Sequence, residues 1–143
     1  MEVPNERLLR KVSQWVGYAD EDLRLAIYAL KMRGKGRAFR LIAYHAQQCA
    51  EKHLKAFLVY HRVDFPYTHN IRKLLELCRE RATWPESLRD AEDLTQYAIT
   101  ARYPGEDEPI TREEAQRAVE IAQRVRDQVR TALEELGVEL PDQ

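Results

Sequence analysis

The sequence contains two cysteines, 5 glycines and 6 prolines in 143 residues, and each of these low counts argues against a class of protein. Two lone cysteines in a chain of this size indicate reduced core residues more than the disulfide framework typical of small secreted domains. Few glycines and prolines, with 8% aromatic residues, disfavour a β-sandwich or barrel. No basic segment leads into an apolar one at the start, and no run of about 18 apolar residues occurs. We therefore expect a cytoplasmic protein with no membrane segment.

The overall charge is close to balanced, with 23 basic and 24 acidic side chains. A net charge of −1 provides no global positive field to hold nucleic acid or an anionic membrane. The balance conceals two unlike halves: residues 1–60 hold 11 basic and 6 acidic side chains, and residues 61–143 hold 12 and 18. With 44% hydrophobic residues, the length fits one domain over residues 1–143.

Apolar residues recur at helical spacing along most of the chain, and no segment alternates polar and apolar residues as a strand would. Five helices are predicted, over 6–32, 37–61, 68–82, 85–101 and 111–136. The second has the widest apolar face, which favours a central position. The fold class is therefore all-α, an antiparallel four- or five-helix up-and-down bundle.

Several predicted helix ends rest on a capping residue. Asn5 and Thr68 are suitable N-caps for the first and third helices. Thr83 with Glu86, and Thr111 with Glu114, have the spacing of capping boxes for the fourth and fifth. Gly137 is a suitable residue to end the fifth helix. Cys49 and Cys78 lie in apolar helical patterns, which predicts reduced core residues.

A basic turn follows the first helix, and no acidic residue occurs between Asp22 and Glu51. Its five cations are Lys31, Arg33, Lys35, Arg37 and Arg40. Two interpretations remain open, a solvated turn whose cations favour the end of the first helix, or a phosphate contact. The turn lacks the strand and the spacing of a P-loop.

The second helix carries a polar stripe of Tyr44, Gln48, Glu51 and Lys55 at steps of four, three and four. One interpretation is a structural hydrogen-bond network in which Glu51 and Lys55 pair. The other is a functional surface. Because unpaired polar side chains are costly to bury, the stripe is expected to face a cleft or a second subunit.

The four histidines, at positions 45, 53, 61 and 69, do not have metal-ligand spacing. Steps of eight residues turn a helix by roughly 80°, so His45, His53 and His61 diverge. Neither HExxH nor Glu-x-x-His occurs. We therefore predict neither a metal nor a cofactor.

A third candidate group joins His69, near the start of the third helix, to Arg102 and Tyr103, at the end of the fourth. A short turn between two helices places the start of one beside the end of the other. Arg102 could bind phosphate or carboxylate, and the helix dipole would keep His69 neutral. The alternative is ordinary capping of a helical hairpin.

Four ordered motifs in these stretches resemble the HEPN (higher eukaryotes and prokaryotes nucleotide-binding) domain family. They are Trp15-x3-Ala19-x2-Asp22-Leu23-x2-Ala26, Tyr44-His45-x2-Gln48-x-Ala50-Glu51-Lys52-x2-Lys55-Ala56, Pro66-x-Thr68-His69-x-Ile71-x2-Leu74-Leu75 and Arg102-Tyr103-Pro104. The resemblance covers nearly the whole chain. It implies a helical bundle that dimerises, often beside a minimal nucleotidyltransferase with which it acts, in some cases, as toxin and antitoxin.

Some branches of that family are metal-independent ribonucleases with an Arg-x(4–6)-His motif, in which histidine is the general acid/base and arginine stabilises charge. Arg40 to His45 and Arg62 to His69 match this spacing. Such branches usually carry the motif on a late helix, and the fifth helix here has no histidine. If the chain is a ribonuclease, Arg40 and His45 are the expected catalytic residues.

The leading hypothesis is a homodimer that binds a nucleotide or phosphate-bearing ligand and partners a nucleotidyltransferase. Its ligand-binding residues would be Tyr44, His45, Gln48, Lys52, Lys55, His69, Arg102 and Tyr103. The alternatives are an RNase toxin that acts on RNA, or a purely structural module whose fifth helix and polar stripe serve dimerisation.

Overall fold

The computed structural model describes residues 4–33, 38–98 and 109–141, and these residues form helices and no strand. The helices are α1 (Glu6–Lys31), α2 (Phe39–Tyr60), α3 (Ile71–Arg79), a 3₁₀ helix (Glu86–Ala98) and α4 (Arg112–Glu135). α1 and α2 are antiparallel, because Trp15 lies near Lys55 whereas Asp22 contacts His45. The predicted all-α bundle is confirmed.

Three of the predicted helix ends are formed by the expected residues. The Asn5 side chain accepts a hydrogen bond from Leu8 N at 2.8 Å. Thr111 Oγ1 accepts from Glu114 N at 3.1 Å, but the Glu114 carboxylate accepts from the Tyr97 hydroxyl, so only half of the capping box forms. Gly137 has φ +89° and ends α4 in the left-handed conformation that glycine tolerates best.

The prediction for the third helix was wrong at both ends. α3 begins at Ile71, and its N-cap is Asn70, whose side chain accepts from Lys73 N at 3.3 Å. Thr68 is not the cap, because its hydroxyl accepts from Asn70 N at 3.0 Å and forms a local turn instead. α3 ends at Arg79, three residues before Ala82.

The fourth predicted helix is a 3₁₀ helix, not an α-helix. Its buried residues Leu88, Ala91, Leu94 and Tyr97 recur every three positions, which is the 3₁₀ period. It begins at Glu86, with a bond from Leu88 N to Pro85 O. The Glu86 carboxylate accepts from Arg89 Nη1 at 3.0 Å, and the hydrogen bonds of this described region include none between Thr83 and Glu86. Its predicted end near residue 101 lies outside the described residues.

α2 lies at the centre of the fold and contacts α1, α3, α4 and the 3₁₀ helix. Cys49 and Cys78 are buried and unbridged, as predicted. The apolar steps of four, three, four, three and four from Ala118 predict Leu136 on the buried face of the last helix. Leu136 is 46% exposed and Leu133 is buried instead, because the helix has ended at residue 135. Within the described residues, no helix combines the length and apolar character needed to cross a membrane.

Two glycines provide a matched test of the fold, because a methyl group added at either one meets open space. Gly137→Ala should lower the free energy of unfolding by about 1 kcal/mol, since alanine is strained at positive φ. Gly17→Ala, inside α1, should raise it by about 0.5–1 kcal/mol. Urea denaturation measures both, and equal effects would contradict the assigned backbone conformations.

Candidate functional site

The polar stripe of α2 is largely buried inside the chain. Gln48, Glu51 and Lys55 are 7%, 3% and 5% exposed, and Gln47 beside them is fully buried. α1 and the segment before α3 cover them, as the contacts below show. The stripe therefore does not face an open cleft along its length, contrary to one of the two expectations.

Glu51 is the centre of this buried group. Its Oε2 accepts from Lys55 Nζ at 2.9 Å, and its Oε1 accepts from Gln47 Nε2 at 3.0 Å and from His69 Nδ1 at 2.7 Å. Gln48 Nε2 donates to Gln47 Oε1 at 2.7 Å. We name these five residues the Glu51 cluster. The predicted pairing of Glu51 with Lys55 is confirmed.

Three aromatic rings surround the Lys55 ammonium group. Its Nζ lies 5.7 Å from the ring centre of Trp15, 5.6 Å from that of Phe65 and 5.8 Å from that of Tyr67. These are cation–π distances. The rings and the Glu51 carboxylate together account for a lysine that is 5% exposed.

Burial by itself would raise the pKa of Glu51, but hydrogen bonds from Gln47, Lys55 and His69 outweigh it and lower the pKa below its ordinary value. Glu51 is therefore an anion at neutral pH. A carboxyl whose pKa is lowered by folding stabilises the fold above its unfolded pKa. This contribution is lost as the pH falls through the folded pKa.

His69 connects the Glu51 cluster to solvent, because its side chain is 43% exposed. Since the Glu51 carboxylate accepts at Nδ1, that nitrogen carries the proton. Such a bond fixes the tautomer and orientation of an imidazole and leaves Nε2 as the second polar atom. The closest electrostatic partner of His69 is thus the Glu51 carboxylate, and not the helix dipole expected from the sequence.

Asp22 of α1 contacts two further polar residues of α2, His45 and Lys52. Its Oδ1 lies 2.8 Å from His45 Nδ1 and its Oδ2 accepts from Lys52 Nζ at 2.6 Å. We name these three residues the Asp22 cluster. Tyr44 packs edge-on against His45 at 5.2 Å between ring centres. The two clusters share one side of α2, each with a carboxylate, a histidine and a lysine.

Asp20 forms a third polar group that sequence reasoning missed. It is 4% exposed and accepts from Arg126 Nε at 2.9 Å, with Arg130 at 3.7 Å and His53 at 3.5 Å. Burial would raise the pKa of Asp20, but the nearby His53 and the hydrogen-bonded Arg126 lower it. The group joins α1, α2 and α4. The sequence feature that could have revealed it is that Asp20 follows the apolar Val16 by four residues, which places this acid on the apolar face of α1.

The predicted site residues thus fall into two clusters and a remainder. Gln48, Lys55 and His69 meet at Glu51, whereas His45 and Lys52 meet at Asp22. Arg40 is exposed on the first turn of α2. Thr95 Oγ1 accepts from Ile71 N at 3.1 Å, which places the 3₁₀ helix beside the start of α3 as predicted.

Four other predicted residues, Arg102, Tyr103, Lys35 and Arg37, lie outside the described residues. Across the described ranges, no three histidine, cysteine, aspartate or glutamate side chains form a group that could hold a metal ion.

Comparison with known proteins agrees with this architecture. The HEPN domain family model matches residues 12–132. The chain belongs to the HEPN family. No curated protein matches it.

Two solved structures are similar to this HEPN chain over 85% of its length. TT1696 from Thermus thermophilus is 30% identical, with 97% of that chain covered and a TM-score of 0.72. ST0689, described as an archaeal HEPN homologue, is 27% identical, with 96% covered and a TM-score of 0.65.

The Glu51 cluster predicts an asymmetry between two variants. Glu51→Leu should lower the free energy of unfolding by about 3–5 kcal/mol, because it leaves the Lys55 cation buried without its anion. Glu51→Leu combined with Lys55→Met should cost clearly less, since both charges are removed. Denaturant unfolding measures the difference.

Glu76→Gln is the control, because that carboxylate is half exposed and should change stability by less than about 0.5 kcal/mol. A double variant less stable than the single one would contradict the pairing.

Proposed function

We propose that this HEPN protein binds a nucleotide or another phosphate-bearing ligand where the Glu51 and Asp22 clusters reach the surface. The observation that carries the proposal is the His69 imidazole, held by a buried carboxylate while 43% of its side chain stays exposed. A polar group fixed in this way binds a ligand without losing further freedom of its own.

The Asp22 cluster adds two groups to the proposed surface. His45 and Lys52 are 27% and 24% exposed, and an ammonium group carries three donors, of which one is directed to Asp22. Both residues therefore keep an accessible edge for an anion. Tyr44, Arg102 and Tyr103 complete the proposed site, whereas Gln48 and Lys55 are buried and act through Gln47 and Glu51.

We further propose that the protein partners a minimal nucleotidyltransferase in a two-component module of the toxin–antitoxin type. Two features support a protein partner: the motifs shared with family members that have one, and the split of charge between residues 1–60 and 61–143. Because the two regions carry opposite net charge, each would attract an oppositely charged surface on a partner, which favours specific association.

A metal-independent ribonuclease is the second candidate. The contact between Asp22 and His45 at 2.8 Å is a carboxylate–histidine pair of the kind that supports general acid/base chemistry. It ranks second because Arg40 and His45 are five positions apart on one helix and point roughly 140° away from each other. They therefore do not form one site within a single chain.

The proposed homodimer uses an apolar stripe on α1. Three of the large hydrophobic residues exposed in the described chain, Tyr18, Leu25 and Tyr28, lie on this helix, and the exposed Met32 is its C-cap. The three residues on the helix are spaced by seven and three positions, which matches the seam of a coiled coil. Pairing with a second α1 would cover the stripe and border the Asp22 cluster, since Asp22 lies between Tyr18 and Leu25.

Charge favours an antiparallel arrangement of the two α1 helices. With Leu25 at the two-fold axis, Lys31 of one copy lies opposite residue 19 of the other, about 3 Å along the axis from Glu21. A parallel arrangement would instead place Lys31 beside Lys31. The antiparallel dimer therefore brings unlike charges together.

Ligand binding is tested by calorimetry with nucleoside mono-, di- and triphosphates. His69→Ala and Arg102→Ala should each weaken binding about tenfold or more, the effect of losing one charge-assisted hydrogen bond. Arg72→Ala, an exposed arginine on α3, is the control and should bind normally. Absence of binding by the wild-type protein would rule out the ligand site.

The dimer is tested by light scattering during size-exclusion chromatography. The wild type should have twice the chain mass of 16.8 kDa, and Leu25→Arg should be monomeric because it buries an unpaired charge. Leu136→Arg, at a comparably exposed leucine just after α4, should stay dimeric.

The arrangement is tested by charge reversal. Glu21→Lys or Lys31→Glu alone should weaken the dimer, and the two together should restore it. A monomeric wild type would refute the interface, and a double reversal no tighter than either single one would refute its antiparallel arrangement.

A further inference from the structure

A cavity of about 640 Å³ lies between the first half of α1 and the segment that follows α2. Its volume is within the usual range of small-molecule sites, about 300–1,000 Å³. The apolar part of its wall consists of Leu8, Trp15, Val59, Val63 and Phe65. None of these residues belongs to the Glu51 or Asp22 clusters.

The rings of Trp15 and Phe65 separate this cavity from the interior. They meet edge to face with centres 6.5 Å apart, and both lie within 6 Å of the Lys55 ammonium, which does not line the cavity. Contacts on the Lys55 side hold the rings in place. Rigid aromatic walls of this kind favour a planar ring as the occupant.

The polar residues around the cavity carry a net positive charge. Lys11 and Arg62 contribute two cations and Asp64 one anion, while Gln14 and Tyr18 add an amide and a hydroxyl. Tyr18 belongs both to this wall and to the apolar stripe of α1, so a second copy paired along α1 would border the cavity. The charge balance favours an occupant with one anionic group.

Arg62 has an unusual backbone for an arginine, with φ +54°. Bonds from Arg62 N to Val59 O at 3.1 Å and from Val63 N to Leu58 O at 3.0 Å close the end of α2 around it. Glycine is the usual residue at such a position because it has no side-chain strain there. The positive φ thus belongs to the cap that ends α2, at a position here occupied by arginine.

We propose that this cavity is a binding site for a small planar aromatic anion, with the ring against Trp15 and Phe65 and the carboxylate or phosphate between Lys11 and Arg62. This site is separate from the surface around His69, and it does not depend on the ligand binding proposed for that surface. The observations that carry it are the ring walls and the two cations among the lining residues.

The test follows the indole N–H signals of the two tryptophans by NMR, assigned with a Trp84→Phe variant. Trp84 is a built-in control, because its indole donates to Cys78 O at 3.1 Å away from the cavity. Naphthoate and adenosine monophosphate are the probes, and neutral naphthamide is the matched control ligand. Only the Trp15 signal should shift, and naphthamide should bind about tenfold more weakly than naphthoate.

Variants then separate binding from folding. Lys11→Ala and Arg62→Gly should each weaken naphthoate binding about tenfold, while the melting temperature of Arg62→Gly stays unchanged or rises because glycine relieves the strain. His69→Ala should leave naphthoate binding unchanged, which distinguishes this site from the proposed nucleotide surface. Tighter binding of adenosine monophosphate than of naphthoate would assign the anion as a phosphate, and the reverse as a carboxylate.

Three results would overturn the proposal. The first is no Trp15 shift with either probe at millimolar concentration. The second is equal affinity for naphthoate and naphthamide, which would reduce the site to an apolar groove. The third is unchanged binding in both Lys11→Ala and Arg62→Gly.

Discussion

The burial of the polar side of α2 is the constraint on which the rest of this structure depends. α2 contacts every other described helix, so most of the polar side chains along its inner side have little access to water. Each of them must find a partner inside the chain or destabilise the fold. α1 supplies Asp22 for His45 and Lys52, and the segment before α3 supplies His69 for Glu51. The polar contacts thus fix how α1, α2 and the start of α3 are placed.

The same contacts explain why the surfaces with proposed functions adjoin one another. The pairing of α1 with α2 leaves the edges of His45 and His69 accessible, directs the apolar stripe of α1 outward and fixes Trp15 over Lys55. The ring of Trp15 therefore contacts the Glu51 cluster on one side and lines the cavity. The proposed phosphate-bearing ligand, the second copy of the chain and the small aromatic anion would therefore each bind a surface that is positioned by the buried polar contacts of α2.

Much of the fold could be predicted from the sequence because helix period and capping are local properties. Asn5, Thr111 and Gly137 lie where they were expected. Thr68 was wrong as a cap, since two neighbouring residues could both cap and only the three-dimensional turn decides between them. The fourth helix was predicted as an α-helix and not as a 3₁₀ helix, because a short apolar segment fits both helical periods.

The candidate site was only partly predictable. The steps between Tyr44, Gln48, Glu51 and Lys55 identified the polar stripe, but not its burial, which depends on residues that cover it from elsewhere in the chain. Asp22 was visible in the family motif, although its contact with His45 spans 23 residues and leaves no local pattern. Long-range pairing of this kind is set by packing.

The most direct test of this account is the titration of the Glu51 side-chain carboxyl carbon by NMR, assigned with a Glu51→Gln variant. If the carboxylate is held by Gln47, Lys55 and His69, its pKa should lie below its ordinary value near 4.5. A pKa above that value would mean that burial outweighs these hydrogen bonds, and it would contradict the paired polar face from which the site was built.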